Sequence, residues 1–318
     1  MTKRLLFCTL LSVIGFKSLL AQDPHFTQFY ASPLYLNPAF AGSERCPRFV
    51  MNYRNQWPAI TGQFVTYSMS YDQHIDAIQG GIGLLVMNDR AGEATLNTTN
   101  VSLIYSYLLN VNRNFSIKFG AEATLAQKHI DKSKLTFGDM IDERYGFVYN
   151  TQEALPTDTK TFTDFSAGVL GYSKSFYAGF AAHHLTQPDQ GFIGNSTLPM
   201  KFTGHAGAVI PIEKSNGDAG LSISPNVLFY KQQDFYQFNL GLYVSRGALV
   251  GGAWYRFGDA LNVLVGLQQN TYRLGFSYDI TTSKLTNATA GSIEFSGAYI
   301  FPCKPKKKKF RAVKCPSF

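Results

Sequence analysis

The chain has 318 residues, of which 45% are apolar and 14% aromatic but only 16% charged, against about 25% charged in ordinary soluble domains. Its formal charge of +8 sits at the two ends. Without Lys3, Arg4, Lys17 and the seven basic residues of the last sixteen, 19 basic side chains face 21 acidic ones, which excludes the basic face of a nucleic-acid-binding body.

Met1–Ala21 carries Lys3 and Arg4, then an apolar run from Leu5 to Ile14, and ends Ser18-Leu19-Leu20-Ala21. That order predicts a signal peptide over residues 1–21, cut before Gln22. Lys17 breaks the run well short of the roughly 20 residues of a membrane helix, and no later stretch approaches one. The competing reading is a short buried helix of a cytosolic protein. Cys8 lies inside the signal, so a lipid-modified N-terminal cysteine is not expected. About 297 residues remain, enough for one large domain or two small ones.

Residues 22–47 form the next segment. Ser32-Pro33 and Asn37-Pro38 disfavour regular structure, yet Phe26, Phe29, Tyr30, Tyr35, Leu36 and Phe40 are too apolar to stay in water. We expect it to pack into a lumen or across a periplasmic mouth as a plug; the alternative is a flexible leader.

From residue 48 to 302 the side chains alternate with a period of two. In Phe115–Lys128, Phe115, Ile117, Phe119, Ala121, Ala123 and Leu125 oppose Ser116, Lys118, Gly120, Glu122, Thr124 and Lys128. Tyr236–Ser245, Tyr272–Ile280 and Ile293–Phe301 divide in the same way, and such sequences cannot segregate on a helix. About fourteen strands result, near 48–54, 63–72, 80–88, 97–110, 115–128, 161–171, 176–183, 201–211, 219–231, 235–245, 248–257, 262–268, 272–280 and 291–301. The even-numbered connections are short, and the long ones, 129–160, 184–200 and 281–290, are all odd-numbered. Short periplasmic turns, long outer loops and an aromatic-rich chain predict an all-β fold, a transmembrane outer-membrane β-barrel of antiparallel strands with both ends in the periplasm. A soluble sandwich also alternates, but it does not require long loops at one end. Lys118, Glu122, Arg273, Asp279 and Glu294 fall on the inner face, to line a conduction path or to pair across the lumen with each other or with a plug.

Two further surfaces stand out. The loop 129–160 mixes Phe137, Met140, Tyr145, Phe147 and Tyr149 with acidic residues, a composition that suits an outward contact with an exported partner. After Phe301, residues 303–318 form a basic tail, where Lys306, Lys307, Lys308, Lys309 and Arg311 would offer a positive patch to an acidic periplasmic partner. Cys303–Cys315 is the favoured disulfide of the tail. A Cys46–Cys303 bridge across the seam of the closed barrel is the alternative, since the first and last strands become neighbours.

No catalytic, metal or cofactor site emerges. Gly275-Phe276-Ser277-Tyr278-Asp279 lacks the second glycine of a nucleophile elbow. His183 and His184 are adjacent and should face opposite ways on a strand. Asp139, Asp142 and Glu143 do not follow a calcium-loop pattern. Gly80-Gly81-Ile82-Gly83 opens a strand, so its glycines suit a bend or close backbone contact and not a phosphate cradle.

Several motifs carry a resemblance. Gln22-Asp23-Pro24-His25-Phe26-Thr27-Gln28-Phe29, Pro33-Leu34-Tyr35-Leu36-Asn37-Pro38-Ala39-Phe40-Ala41-Gly42 and Asn52-Tyr53-Arg54-Asn55-Gln56-Trp57-Pro58 are the most specific. Asn88-Asp89-Arg90-Ala91-Gly92, His184-Leu185-Thr186-Gln187-Pro188, Ser277-Tyr278-Asp279-Ile280 and Gly291-Ser292-Ile293-Glu294-Phe295 follow in order. Over residues 22–301 the chain resembles the PorP/SprF family of the type IX secretion system in Bacteroidetes; the tail departs from that pattern. The resemblance implies an outer-membrane component that helps to export or anchor a partner protein such as a gliding adhesin, meets periplasmic secretion or motility components and outer-membrane lipid, and is not an enzyme. A general diffusion porin is the alternative, and a barrel-fold lipid hydrolase a more distant one.

Overall fold

In a computed structural model, which describes residues 23–92, 95–152, 157–213, 220–282 and 290–303, the alternating runs become fourteen antiparallel strands. They are Arg48–Gln56 (β1), Phe64–Ile75 (β2), Gly80–Ala91 (β3), Leu96–Asn110 (β4), Ser116–Ile130 (β5), Thr159–Tyr172 (β6) and Phe176–His183 (β7). Lys201–Ala208 (β8), Leu221–Gln232 (β9), Phe235–Arg246 (β10), Leu249–Arg256 (β11), Ala260–Gln268 (β12), Tyr272–Thr281 (β13) and Ser292–Ile300 (β14) complete the set. Each pairs with the next, and β14 pairs with β1, from Arg48 opposite Ile300 to Gln56 opposite Ser292. The sheet therefore closes and leaves no edge, as a membrane-spanning sheet must.

The faces are inverted relative to a soluble protein. Leu103, Leu125 and Tyr236 point outward with 66%, 53% and 72% of their surface open, whereas Arg54, Lys118 and Glu294 are buried inside. Lipid accepts the first set, and only a polar interior accepts the second. The strand ends that flank the longer connections, Ile130 and Thr159, His183 and Lys201, and Thr281 and Ser292, lie together at one end, called here the loop end. The chain enters β1 and leaves β14 at the opposite, turn end.

Expected strand positions hold to within a few residues, with one instructive departure. The run expected over 201–211 is interrupted after Ala208 and resumes at Ile210–Pro211 against β9. The register is the same on both sides, Gly207 opposite Asn226 and Ile210 opposite Ile223. Pro225 lies across from the gap; it has no N–H to give, so the ladder pauses there.

The favoured cysteine pairing is corrected. Cys46 is bridged to Cys303 with their Cα atoms 5.5 Å apart, so Cys303 is not available to Cys315, which lies outside the described residues. The cause is closure: β1 and β14 bring residues 257 positions apart together at the turn end. Replacing either cysteine by serine should lower unfolding stability by about 2 kcal/mol, the low end for a native disulfide, because the β1–β14 ladder already restrains the seam. Denaturant unfolding of the heat-shifted gel band, with and without reductant, checks this. An unchanged midpoint would mean the bridge adds nothing to the ladder.

Candidate functional site

Residues 23–46 run through the lumen from the loop end to the turn end. Prolines set their path: Pro33 starts the one-turn helix Pro33–Leu36, and Pro38 starts the 3-10 turn Pro38–Phe40. At these first positions the missing N–H costs nothing. Asn37 caps the second turn by accepting from Ala39 N at 2.9 Å and donates through Nδ2 to the Val169 carbonyl at 3.1 Å. Phe29 packs against Trp254 and Tyr230 of the wall, Tyr30 against Tyr177 and Phe40 against His205. Phe26, Phe29, Leu34 and Leu36 are almost fully buried. The apolar segment thus shares one hydrophobic core with inward side chains of the wall, among them Leu85, Ile104, Leu170 and Leu228.

Charge fixes the segment at both ends. Near the loop end, Arg54 on β1 contacts Asp279 at 2.9 Å and Glu294 at 3.3 Å and donates to the Thr27 hydroxyl. Glu294 accepts from the backbone N–H groups of Thr27 at 2.6 Å and Gln28 at 3.0 Å, and the Thr27 hydroxyl donates to Asp279. Near the turn end, Asp72 accepts from Gly42 N at 2.7 Å while paired to Arg48 at 2.8 Å. Arg273 pairs with Glu44 at 2.8 Å, and Lys118 donates to the Ala41 carbonyl. Of the five inner charges singled out from sequence, Lys118, Arg273, Asp279 and Glu294 are thus brought to this segment. Glu122 is not; it faces a cavity above it.

Two wall glycines make room. A Cβ on Gly81 would stand 2.2 Å from the Ala41 carbonyl oxygen, and one on Gly120 would stand 2.3 Å from Ala39 N. Only residues without a side chain allow backbone to approach that closely.

Between the segment and the loop end lies a cavity of about 460 Å³, lined by Asp23, Tyr35, Met87, Asp89, Glu122, Asp164 and both His183 and His184 among others. The two histidines were expected to face opposite ways. His184 instead follows the strand with φ +59°, which turns its ring back beside that of His183. Its Nδ1 lies 2.7 Å from Asp164 and its Nε2 2.7 Å from Asp23. Burial alone would push the imidazole down, but the Asp23 charge and the Asp164 and Asp23 hydrogen bonds outweigh it and raise it to about 9.

A pH dependence follows. Because the folded value lies above the ordinary 6.5, the charged histidine's contribution is complete below about pH 6.5 and is lost as pH rises through 9. Hydrogen exchange at Asp23–His25 should therefore accelerate between pH 7 and pH 10 beyond the intrinsic base-catalysed rise. In His184→Gln that excess should be absent. Equal profiles for the two proteins would remove His184 from the docking of this end.

In the loop 131–158, Asp142 accepts from the N–H groups of Arg144 and Tyr145 and from the Tyr149 hydroxyl, and Asp139 accepts from Thr151 and Gln152. These carboxylates hold the loop's own turns. Tyr145, Phe147 and Tyr149 stand exposed, while Phe137 and Met140 are half-buried and joined by a Phe137 N–H to Met140 sulfur contact. Lys306, Lys307, Lys308, Lys309, Arg311 and the span 1–21 expected as a signal peptide lie outside the described residues.

The family model described as "Type IX secretion system membrane protein PorP/SprF" matches residues 18–299. No curated protein gives a significant match. Similar solved structures include the outer membrane protein Omp33 of Acinetobacter baumannii, with a TM-score of 0.45 and 9% identity, covering 82% of this chain and all of that one. A FadL homologue of Pseudomonas aeruginosa gives a TM-score of 0.43 and 13% identity over 91% of this chain and 97% of that one. The KdgM porin, in complex with disordered oligogalacturonate, gives 0.39 and 10% over 80% and 99%.

Proposed function

This chain belongs to the PorP/SprF family of type IX secretion system membrane proteins, and from that premise we propose that it serves as a docking component for an exported protein and not as a channel. It is an outer-membrane β-barrel. The observation that carries the docking reading is the occupied lumen. A diffusion porin keeps an aqueous lumen, whereas here residues 23–46 occupy the lumen and are held by Thr27 hydrogen bonds to the buried Arg54–Asp279–Glu294 cluster near one end and by the Glu44–Arg273 ion pair near the other.

With conduction set aside, the surfaces left for work are the two mouths. At the loop end, exposed Tyr145, Phe147 and Tyr149 offer the aromatic contact area typical of protein interfaces, fitting an exported surface protein such as an adhesin. The basic sequence that follows Cys303 suits periplasmic secretion or motility components. The role is export or retention of the partner and involves no catalysis. The test is removal of the gene followed by comparison of the proteins released and displayed at the cell surface. The expected result is loss of one or a few exported proteins from the surface with the remainder unchanged. An unaltered surface would overturn the reading.

A further inference from the structure

We propose that the cavity at the loop end is a receptor for a basic side chain, lysine or arginine, carried on an extended stretch of an exported polypeptide. The proposal rests on the docking reading above and specifies its chemistry.

Several of the charges in the cavity wall already have partners. Asp23 and Asp164 share His184, and Lys201 lies 3.4 Å from Asp23. Lys201 also donates to the Tyr35 hydroxyl at 3.2 Å, and Lys128 donates to Gln190 Oε1 at 3.0 Å. Asp89 and Glu122 differ. Asp89 accepts from the Thr66 hydroxyl at 2.7 Å and Glu122 from the Thr124 hydroxyl at 3.3 Å. Among the described residues neither has a lysine, arginine or histidine within ion-pair distance. Two carboxylates outside any close ion pair therefore line a cavity of about 460 Å³, and Lys128 in the same lining, bonded only to the neutral Gln190, offsets one of them and leaves the lining with an excess of negative charge.

A second, independent feature points the same way. His183 is 8% exposed and lines this cavity, yet its Nε2 has no hydrogen-bond partner. A buried polar atom without a partner is costly, and a neutral imidazole nitrogen can accept from a guanidinium or ammonium group.

The rest of the lining matches the stem of such a guest. Leu85, Met87 and Phe162 lie in the same wall as Asp89 and Glu122. Lysine and arginine bury their methylenes on apolar surface while the charged head reaches a polar partner. The volume is of the size that holds small ligands, roughly 300–1,000 Å³, so it admits a short stretch of chain and not a folded domain. A carboxylate guest would meet a lining in which the acidic side chains outnumber the charged basic ones, Lys128, Lys201 and His184, and this excess supplies discrimination as well as attraction.

The experiment uses the full-length barrel in lipid nanodiscs and three capped tripeptides, Ala-Arg-Ala, its citrulline analogue and Ala-Glu-Ala, with binding followed calorimetrically. Citrulline keeps the shape of arginine and removes the charge. The arginine peptide should bind about tenfold tighter than the citrulline peptide, as expected for a charge-assisted pair, and the glutamate peptide should not bind measurably. Asp89→Asn and Glu122→Gln should each reduce the preference severalfold, and the double variant should abolish it. The heat-dependent gel shift confirms that each variant is folded. Equal binding of arginine and citrulline peptides to the unmodified protein overturns the proposal without reference to any variant. An intact preference in the folded double variant overturns it equally. The docking reading is tested separately, by surface-protein comparison after gene removal, so either can fail alone.

Discussion

Deleting residues 24–43 while keeping Cys46 should convert a closed barrel into an open one. The intact protein should show little steady conductance in planar bilayers, and the shortened one should exceed it by about tenfold or more. The reason is geometric. Fourteen strands enclose a lumen that the segment fills with Phe26, Phe29, Leu34, Leu36 and Phe40, and the inward side chains left behind include Arg48, Arg54, Asp72, Lys118 and Glu294, which attract water and ions. Conductance is read only on protein that shows the heat-dependent gel shift of a folded barrel. A folded deletion that still does not conduct would mean that the loops, and not residues 23–46, close the passage.

Arg54→Ala should be the most damaging single substitution in the lumen. It leaves Asp279 and Glu294, both almost fully buried, without the cation that contacts each of them. Breaking a buried pair from one side costs about 3–5 kcal/mol. Arg256, whose Nη2 lies 3.6 Å from Asp279, offsets part of this, so we expect the lower half of that range. Thr27 loses a hydrogen bond at the same time, so the lumenal segment should become sensitive to protease before the barrel itself unfolds. Arg54→Lys keeps one charge but not the guanidinium fork that reaches two carboxylates, and should fall between the two. Denaturant unfolding in detergent and timed proteolysis measure the two effects. An Arg54→Ala protein within 1 kcal/mol of the parent would show that the network does not hold the segment; this threshold is about the net worth of one ordinary hydrogen bond.

How far the sequence reached depended on the range of the interaction. The strands were legible because lipid imposes a local rule. Every second residue must be apolar, so Tyr236, Phe238, Leu240, Leu242 and Val244 declare an outward face without any knowledge of the rest of the chain. Closure followed from parity, since an even strand count with long odd-numbered connections returns the chain to its starting end. The close backbone contact suggested by Gly80-Gly81-Ile82-Gly83 was readable for the same local reason, but its partner, Ala41, was not.

What tertiary structure alone decided lies across long separations. Thr27 meets Asp279 and Glu294, more than 250 residues away, and no spacing in the sequence marks them as partners. Cys46 rather than Cys315 bonds Cys303, because proximity across the seam comes from closing the sheet. His183 and His184 share one cavity because a left-handed φ at His184 cancels the alternation that a strand would impose. Composition and period two determine the wall of this barrel, because lipid contacts every strand in the same way. The contents of its lumen are set by which inward side chains the closed register brings face to face, a choice that exists only once all fourteen strands are in place.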